Sequence, residues 1–106
     1  MHLCPLSKIA DAALAKYIND WLYELEHIKC YQANTLRAYK NDILCWLRFL
    51  YAYEEHIVSV PYLNALDILT MMGWLGYRHR ENYEARSTRR ALSSVRQFAL
   101  YMRQFK

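Results

Sequence analysis

Ser87-Thr88-Arg89-Arg90-Ala91-Leu92-Ser93-Ser94-Val95-Arg96-Gln97-Phe98-Ala99-Leu100-Tyr101-Met102-Arg103-Gln104-Phe105 carries the period of an amphipathic α-helix. Thr88, Leu92, Val95, Ala99 and Met102, with Phe98 and Phe105, recur at helical spacing and are expected to form a buried face. Arg86, Arg90, Ser93 and Gln97 lie opposite, and Arg89, Arg96 and Arg103 recur every seven residues along one flank. A face this regular fixes the fold class as all-α if the rest of the chain follows it, and it does.

Upstream, Leu14, Ile18, Trp21, Leu22, Leu25 and Ile28 form an apolar stripe over about Asp11 to Ile28, with Lys16, Asn19, Tyr23 and Glu26 opposite. A second segment runs from about Thr35 to Tyr53, where Leu36, Tyr39, Ile43, Trp46, Leu47 and Leu50 share a face and Arg37, Asn41 and Arg48 lie outside it. Cys45, Phe49 and Tyr53 make its second half apolar nearly all round, as expected of a central helix packed on two sides. Ile57, Val58, Val60 and Pro61 break the pattern and predict a loop. A third helix is expected to start between Asn64 and Asp67 and to end near Arg80, with Met71, Trp74 and Leu75 on one face and Leu69 and Met72 on another. Four main helices with short connections predict one compact bundle over residues 1–106, ordered from about 9 to 105.

Composition agrees. With 106 residues, 55% of them hydrophobic, the chain can bury roughly two-thirds of its unfolded surface without disulfide staples. Two Gly and two Pro exclude collagen-like repeats, Gly-rich phosphate loops and a turn-dense all-β fold. The longest apolar run, Ile43 to Tyr53, is interrupted by Arg48, and Met1 to Lys8 lacks the apolar core of a secretory signal. Cys4, Cys30 and Cys45 fit no disulfide framework, so a cytoplasmic location, away from membranes, is expected.

Charge is distributed unevenly. Residues 1–76 hold six Lys/Arg and eight Asp/Glu, a net of −2; residues 77–106 hold eight and two, a net of +6. The Arg-rich last helix also begins against its own dipole. Helix N-termini carry partial positive charge and favour acidic side chains, yet Arg86, Arg89 and Arg90 crowd the first turn around Ser87 and Thr88, the expected caps. In the second helix Asn34 or Thr35 is the expected cap, and Arg37 and Lys40 follow. Cations beside free N–H groups and a hydroxyl are what phosphate binding uses, and two such starts suit a backbone with phosphates in a row. On this reading Arg90→Glu would complete a capping box with Ser87 and stabilise the free domain.

These residues resemble a known family. Asn34-Thr35-Leu36-Arg37-Ala38-Tyr39-Lys40-Asn41-Asp42 is similar to the NTxxAYxxD stretch of tyrosine recombinases of the XerC/XerD type, and Ala85 to Phe98 is similar to their RxLSxxRxF stretch. Both stretches belong to the N-terminal SAM-like core-binding domain of the phage integrase family. Coverage runs from about Ile9 to Phe105, and the departures are Gln32 and Asn82-Tyr83-Glu84, which replaces a Gly-containing turn. The resemblance implies that the domain clamps double-stranded DNA together with its own C-terminal catalytic domain, and that other helices touch further recombinase subunits in a synaptic tetramer. It also implies that the chemistry lies elsewhere. The family's Tyr nucleophile, two Arg, Lys and His residues stabilise a pentavalent phosphate, and no His-x-x-Arg element occurs: Pro5, Cys30, Ser59 and Asn82 follow three residues after the four His.

The chain is therefore expected to be the non-catalytic piece of a longer enzyme, with no cofactor or metal and no catalytic residue. Its expected DNA-binding residues are Asn34, Thr35, Arg37, Lys40 and Asn41 on the second helix and Arg86, Ser87, Thr88, Arg89, Arg90, Ser93 and Arg96 on the fourth. His27 with Cys30, and His2 with Cys4, are too isolated to read as a zinc site. Trp21 and Trp46 are expected in the core, Trp74 either there or against a partner, and Tyr101 at the surface or rim. The rival reading is a helical protein-interaction module whose second and third helices dock a partner while the basic helix is merely solvated. The gene sequence following Lys106 separates the two, because the recombinase reading expects it to encode the missing catalytic set.

Overall fold

The computed structural model describes residues 6–104. Among the described residues six helices follow one another: α1 (Leu6–Ile9), α2 (Ala12–His27), α3 (Ala33–Glu54), α4 (Val60–Asn64), α5 (Ile68–Arg80) and α6 (Ala85–Arg103). The four long ones are the four helices legible in the sequence. Of the two short ones, α1 precedes α2, and α4 takes in Val60 and Pro61, which were expected in a loop, because Ser59 caps it and Pro61 suits a first helical turn; just before it Val58 does more than break a pattern. It forms a parallel bridge with Ala10, its N–H donating to Ile9 O at 2.8 Å and its carbonyl accepting from Asp11 N–H at 2.9 Å. Val58 is fully buried, so this one extended residue pins the N-terminal turn to the bundle.

Local chemistry sets the ends. Asp11 caps α2 by accepting from Leu14 N–H at 2.8 Å, Ser59 caps α4 with Pro61 in its first turn, and Asp67 caps α5 by accepting from Thr70 N–H at 2.9 Å. Helix α2 stops at His27, so Ile28, in step with the apolar stripe, is the C-cap and is 71% exposed. Helix α5 closes with a Schellman turn: Tyr83 N–H donates to Arg78 O at 3.0 Å and Asn82 N–H to His79 O at 3.1 Å. Asn82 takes the left-handed conformation there, at φ 62°. It substitutes for glycine because a short polar side chain tolerates that region better than other L-residues.

The core gathers Leu14, Ile18, Trp21 and Leu25 of α2, Ile43, Trp46, Leu47 and Leu50 of α3, Trp74 of α5, and Ala91, Val95, Phe98 and Tyr101 of α6. Helix α3 is central, packing against α1, α2 and α6. Aromatic rings meet across the helices: Trp46 of α3 and Trp74 of α5 lie 6.4 Å apart between centroids, and Trp21 of α2 and Phe98 of α6 5.3 Å. Trp74 is thus a core residue. The ambiguous wheel of α5 resolves with Trp74 inward, Met71 and Leu75 half-buried, and Ile68, Leu69 and Met72 exposed.

Three further burial expectations are corrected. Tyr53 is exposed, one residue before α3 ends at Glu54. Ala99 is exposed and Tyr101 is buried: the inward face of α6 runs through Ala91, Ser94, Val95, Phe98 and Tyr101. Phe98 and Tyr101 stack there at 6.5 Å, and a serine, Ser94, fills the position where the helix meets α3. Phe105 and the His2–Cys4 pair lie outside the described residues. Among the described residues no helix is long and apolar enough to cross a membrane.

Candidate nucleic-acid interface

Asp42 organises the seam between α3 and α6. It sits on the inward side of α3 beside Ile43 and is only 4% exposed. A carboxylate so deeply buried must be paired. Arg90 supplies the pair in fork geometry: Nε donates to Oδ2 at 2.9 Å and an η-nitrogen donates to Oδ1 at 2.8 Å. Ser94, one turn on, donates its hydroxyl to the same carboxylate at 3.0 Å. The hydrogen bond to Asp42 raises the Arg90 pKa further, so the guanidinium stays charged. Three residues before Asp42, the Tyr39 hydroxyl accepts from Gln97 Nε2 at 3.4 Å.

These pairings run in opposite chain directions, so α3 and α6 cross antiparallel. Lys40 and Asn41 therefore lie level with the α6 turn that holds Ser93 and Arg96. The same register separates the two helix starts. At 1.5 Å per residue, Asn34 and Arg86 stand roughly 20 Å apart along the axes, at opposite ends of the seam. On α6, Arg86, Arg89, Ser93 and Arg96 are exposed and share one face. On α3, Asn34, Arg37, Lys40 and Asn41 are exposed, with Thr35 half-buried, and Asn34 Oδ1 accepts from an Arg37 η-nitrogen at 2.9 Å.

Both capping expectations are overturned. Helix α3 starts earlier, with Gln32 at the N-cap, so Asn34 and Thr35 lie inside the first turn. Helix α6 starts at Ala85 with Glu84 at the N-cap, so Ser87 and Thr88 are also inside it. Neither cap residue bonds the free N–H groups through its side chain. Thr88 instead accepts from Arg78 Nε at 3.0 Å, and Ser87 is half-buried. Arg90 also has a different place from the one expected: its Nε and one η-nitrogen are committed to Asp42, although the side chain is still 46% exposed.

Sequence reasoning gave no role to Asp42, Arg78 or Ser94, although Asp42 and Ser94 stand in the two stretches that carry the resemblance. Asp42 did carry a signal, since it is a lone acid next to the apolar stripe of α3. Arg78 carried none, as nothing in a run of basic residues marks the one that is 3% exposed.

Residues 18–104 match the family model described as phage integrase, N-terminal SAM-like domain. Among curated proteins the chain is similar to the tyrosine recombinase XerC of Rickettsia typhi, at 32% identity over 92 residues. The tyrosine recombinases XerC of Rickettsia prowazekii and Rickettsia bellii are each 33% identical over the same length. Each alignment covers 87% of this chain and 30% of the relative, so the chain spans about a third of the length of the proteins it resembles. No solved structure matches it significantly.

Proposed function

Because the chain belongs to the phage integrase N-terminal SAM-like domain family, we propose that it is the DNA-binding part of a site-specific tyrosine recombinase. It holds duplex DNA for strand exchange performed by a C-terminal catalytic domain outside this chain, so residues 1–106 are a single core-binding domain without catalytic residues of their own. The cytoplasm is its location. The other partners are that catalytic domain and neighbouring recombinase subunits.

The observation that carries this reading is the exposed basic face of α6, with Arg86, Arg89 and Arg96, set beside Lys40 and Asn41 of α3 across the Asp42–Arg90 seam. Two cationic helix starts roughly 20 Å apart suit a polyanion that presents phosphates in series. Phosphate contacts from Arg37, Lys40, Arg86, Arg89 and Arg96 fix the register, and Asn34, Asn41 and Ser93 are the polar groups available for base edges. Thr35, Ser87 and Thr88 line the helix starts. In this reading Arg90 orients the two helices rather than reaching freely for the duplex.

An anisotropy titration tests it. Neutralising about four to six phosphates gives a log–log salt slope of about −3.5 to −5.5. Absence of binding at ~50 mM salt, or binding indifferent to salt, would remove the phosphate contacts. A nicked suicide substrate should yield no covalent protein–DNA band; such a band would place an active site within this chain. The second reading, a protein-interaction module, draws on the exposed Ile68, Leu69 and Met72 of α5. It moves ahead if duplex DNA does not bind.

A further inference from the structure

Helix α5 is buried on one side only. Trp74 and Arg78 face the core, while Ile68, Leu69 and Met72 are between 59% and 74% exposed. Leu69, Met72, Gly73, Gly76 and Arg80 recur at three- and four-residue intervals and so form a single outer face. The face continues onto α3: Tyr77 lies 5.4 Å from Phe49 between ring centroids, Phe49 stacks on Tyr53 at 6.0 Å, and Tyr53 is exposed. Together Ile68, Leu69, Met72, Tyr53 and Tyr77 leave on the order of 500 Å² of apolar side chain in water, a patch too large to be scattered surface residues.

The chain has two glycines, and both stand inside α5 on this face. Neither takes a positive φ, so no backbone conformation requires them. Glycine weakens a helix interior relative to alanine. An alanine would fit within the domain. A Cβ at Gly73 would meet only Phe49 Cζ, at 3.9 Å, and one at Gly76 only an η-nitrogen of Arg80, at 3.3 Å, the end of a flexible side chain. What the two glycines add is a flat strip on which another backbone can come close.

The ends of the face carry opposite charge. Asp67 caps the N-terminal end, and both it and Glu54 lie close enough to the Tyr62 hydroxyl to help hold its proton on. His79 and Arg80 are exposed at the C-terminal end. Among the described residues none of Glu54, Asp67 and Arg80 has an ion-pair partner. A second copy turned end for end sets the acidic end against Arg80 twice and lays the two helix dipoles antiparallel. Two-fold symmetry makes the face its own complement. Pairing two such faces buries about 1,000 Å², the lower bound of a specific interface, so the dimer is a weak one.

We propose that the outer face of α5 is a self-association surface, which pairs antiparallel with the same face of a second copy of this chain and comes closest at Gly73 and Gly76. It includes none of the residues assigned to DNA, so it goes beyond the DNA-binding reading and does not depend on it.

Sedimentation equilibrium of the full chain from ~5 to ~500 μM tests it, and the chain should pass from monomer to dimer within that range. Leu69→Glu and Gly73→Gln each weaken the dimer about tenfold or more. Gly73→Gln also removes a helix glycine, so under dilute, monomeric conditions it melts at or above wild type, and its lost association is not lost folding. Asp67→Asn, which still caps α5, and Arg80→Gln each weaken the dimer several-fold, and together no more than either alone. A chain that stays monomeric at ~500 μM overturns the proposal and leaves the face to another domain or a different partner. A dimer indifferent to Leu69→Glu and Gly73→Gln overturns it too, because another surface then joins the copies. Association that responds to those two but not to Asp67→Asn or Arg80→Gln overturns the antiparallel pairing. Dimerisation through this face in a chain that binds no duplex DNA supports the surface while the DNA reading falls.

Discussion

Arg90→Glu is the substitution on which sequence and structure disagree most sharply. Read from the sequence, it completes a capping box with Ser87 and stabilises the helix. In the structure Ser87 is not the cap, and residue 90 faces Asp42. The substitution removes two charge-assisted hydrogen bonds, at 2.9 and 2.8 Å, from a carboxylate that is 4% exposed. It also places a second carboxylate beside it, leaving only Ser94 to compensate. Breaking a fully buried pair costs about 3–5 kcal/mol. Arg90 keeps much of its surface in water, so screening trims that figure to about 2–3 kcal/mol. For a chain of this length each kcal/mol is about 4–5 °C in Tm, so the melt should fall by roughly 8–15 °C. Circular dichroism melts at pH 7 read this directly, and urea titrations give the free energy. Arg90→Met and Asp42→Asn, singly and together, isolate the pair: the double variant should lose less than the sum of the two singles by about 1–2 kcal/mol. A melting temperature at or above wild type for Arg90→Glu would refute the seam and restore the capping argument.

Removing the Ser94 hydroxyl leaves Asp42 one donor short without opening a large cavity, so Ser94→Ala should cost about 1 kcal/mol in urea unfolding. Asn82→Gly should hold or raise Tm, whereas Asn82→Ala should lower stability by about 1 kcal/mol, because the Schellman turn requires a left-handed residue there. Phe98→Ala empties the space between Trp21 and Tyr101 and should cost about 3–5 kcal/mol, enough to leave much of the chain unfolded at 37 °C. Burial holds the Tyr101 and Tyr62 hydroxyls protonated above their ordinary value of 10.0. The unfolded chain therefore loses these protons first, and stability should decline as pH rises past about 10 in alkaline urea titrations. A stability profile flat from pH 9 to 11 would count against burial of both rings.

The four long helices were legible in the chain, because 3.6-residue periodicity and short-range chemistry act within a few residues of each position. The stripe Leu14, Ile18, Trp21 and Leu25 is buried as its spacing requires, and α5 begins at Ile68 behind its Asp67 cap. The asymmetry of charge was equally legible, and so was the family resemblance carried by residues 34–42 and 85–98. Which of the basic side chains are free was settled by the packing of one helix on another. Arg86, Arg89, Arg90 and Arg78 look alike in the chain, yet Arg90 is held by an aspartate 48 positions away and Arg78 lies under Tyr83. Cap positions also depended on it, since Ser and Thr near a helix start are interchangeable candidates until neighbouring helices fix where the first turn begins. The physical reason is one of range. Backbone periodicity is written locally, whereas the partner of a buried charge is chosen by antiparallel packing of α3 on α6, and no spacing within either helix encodes the register between them.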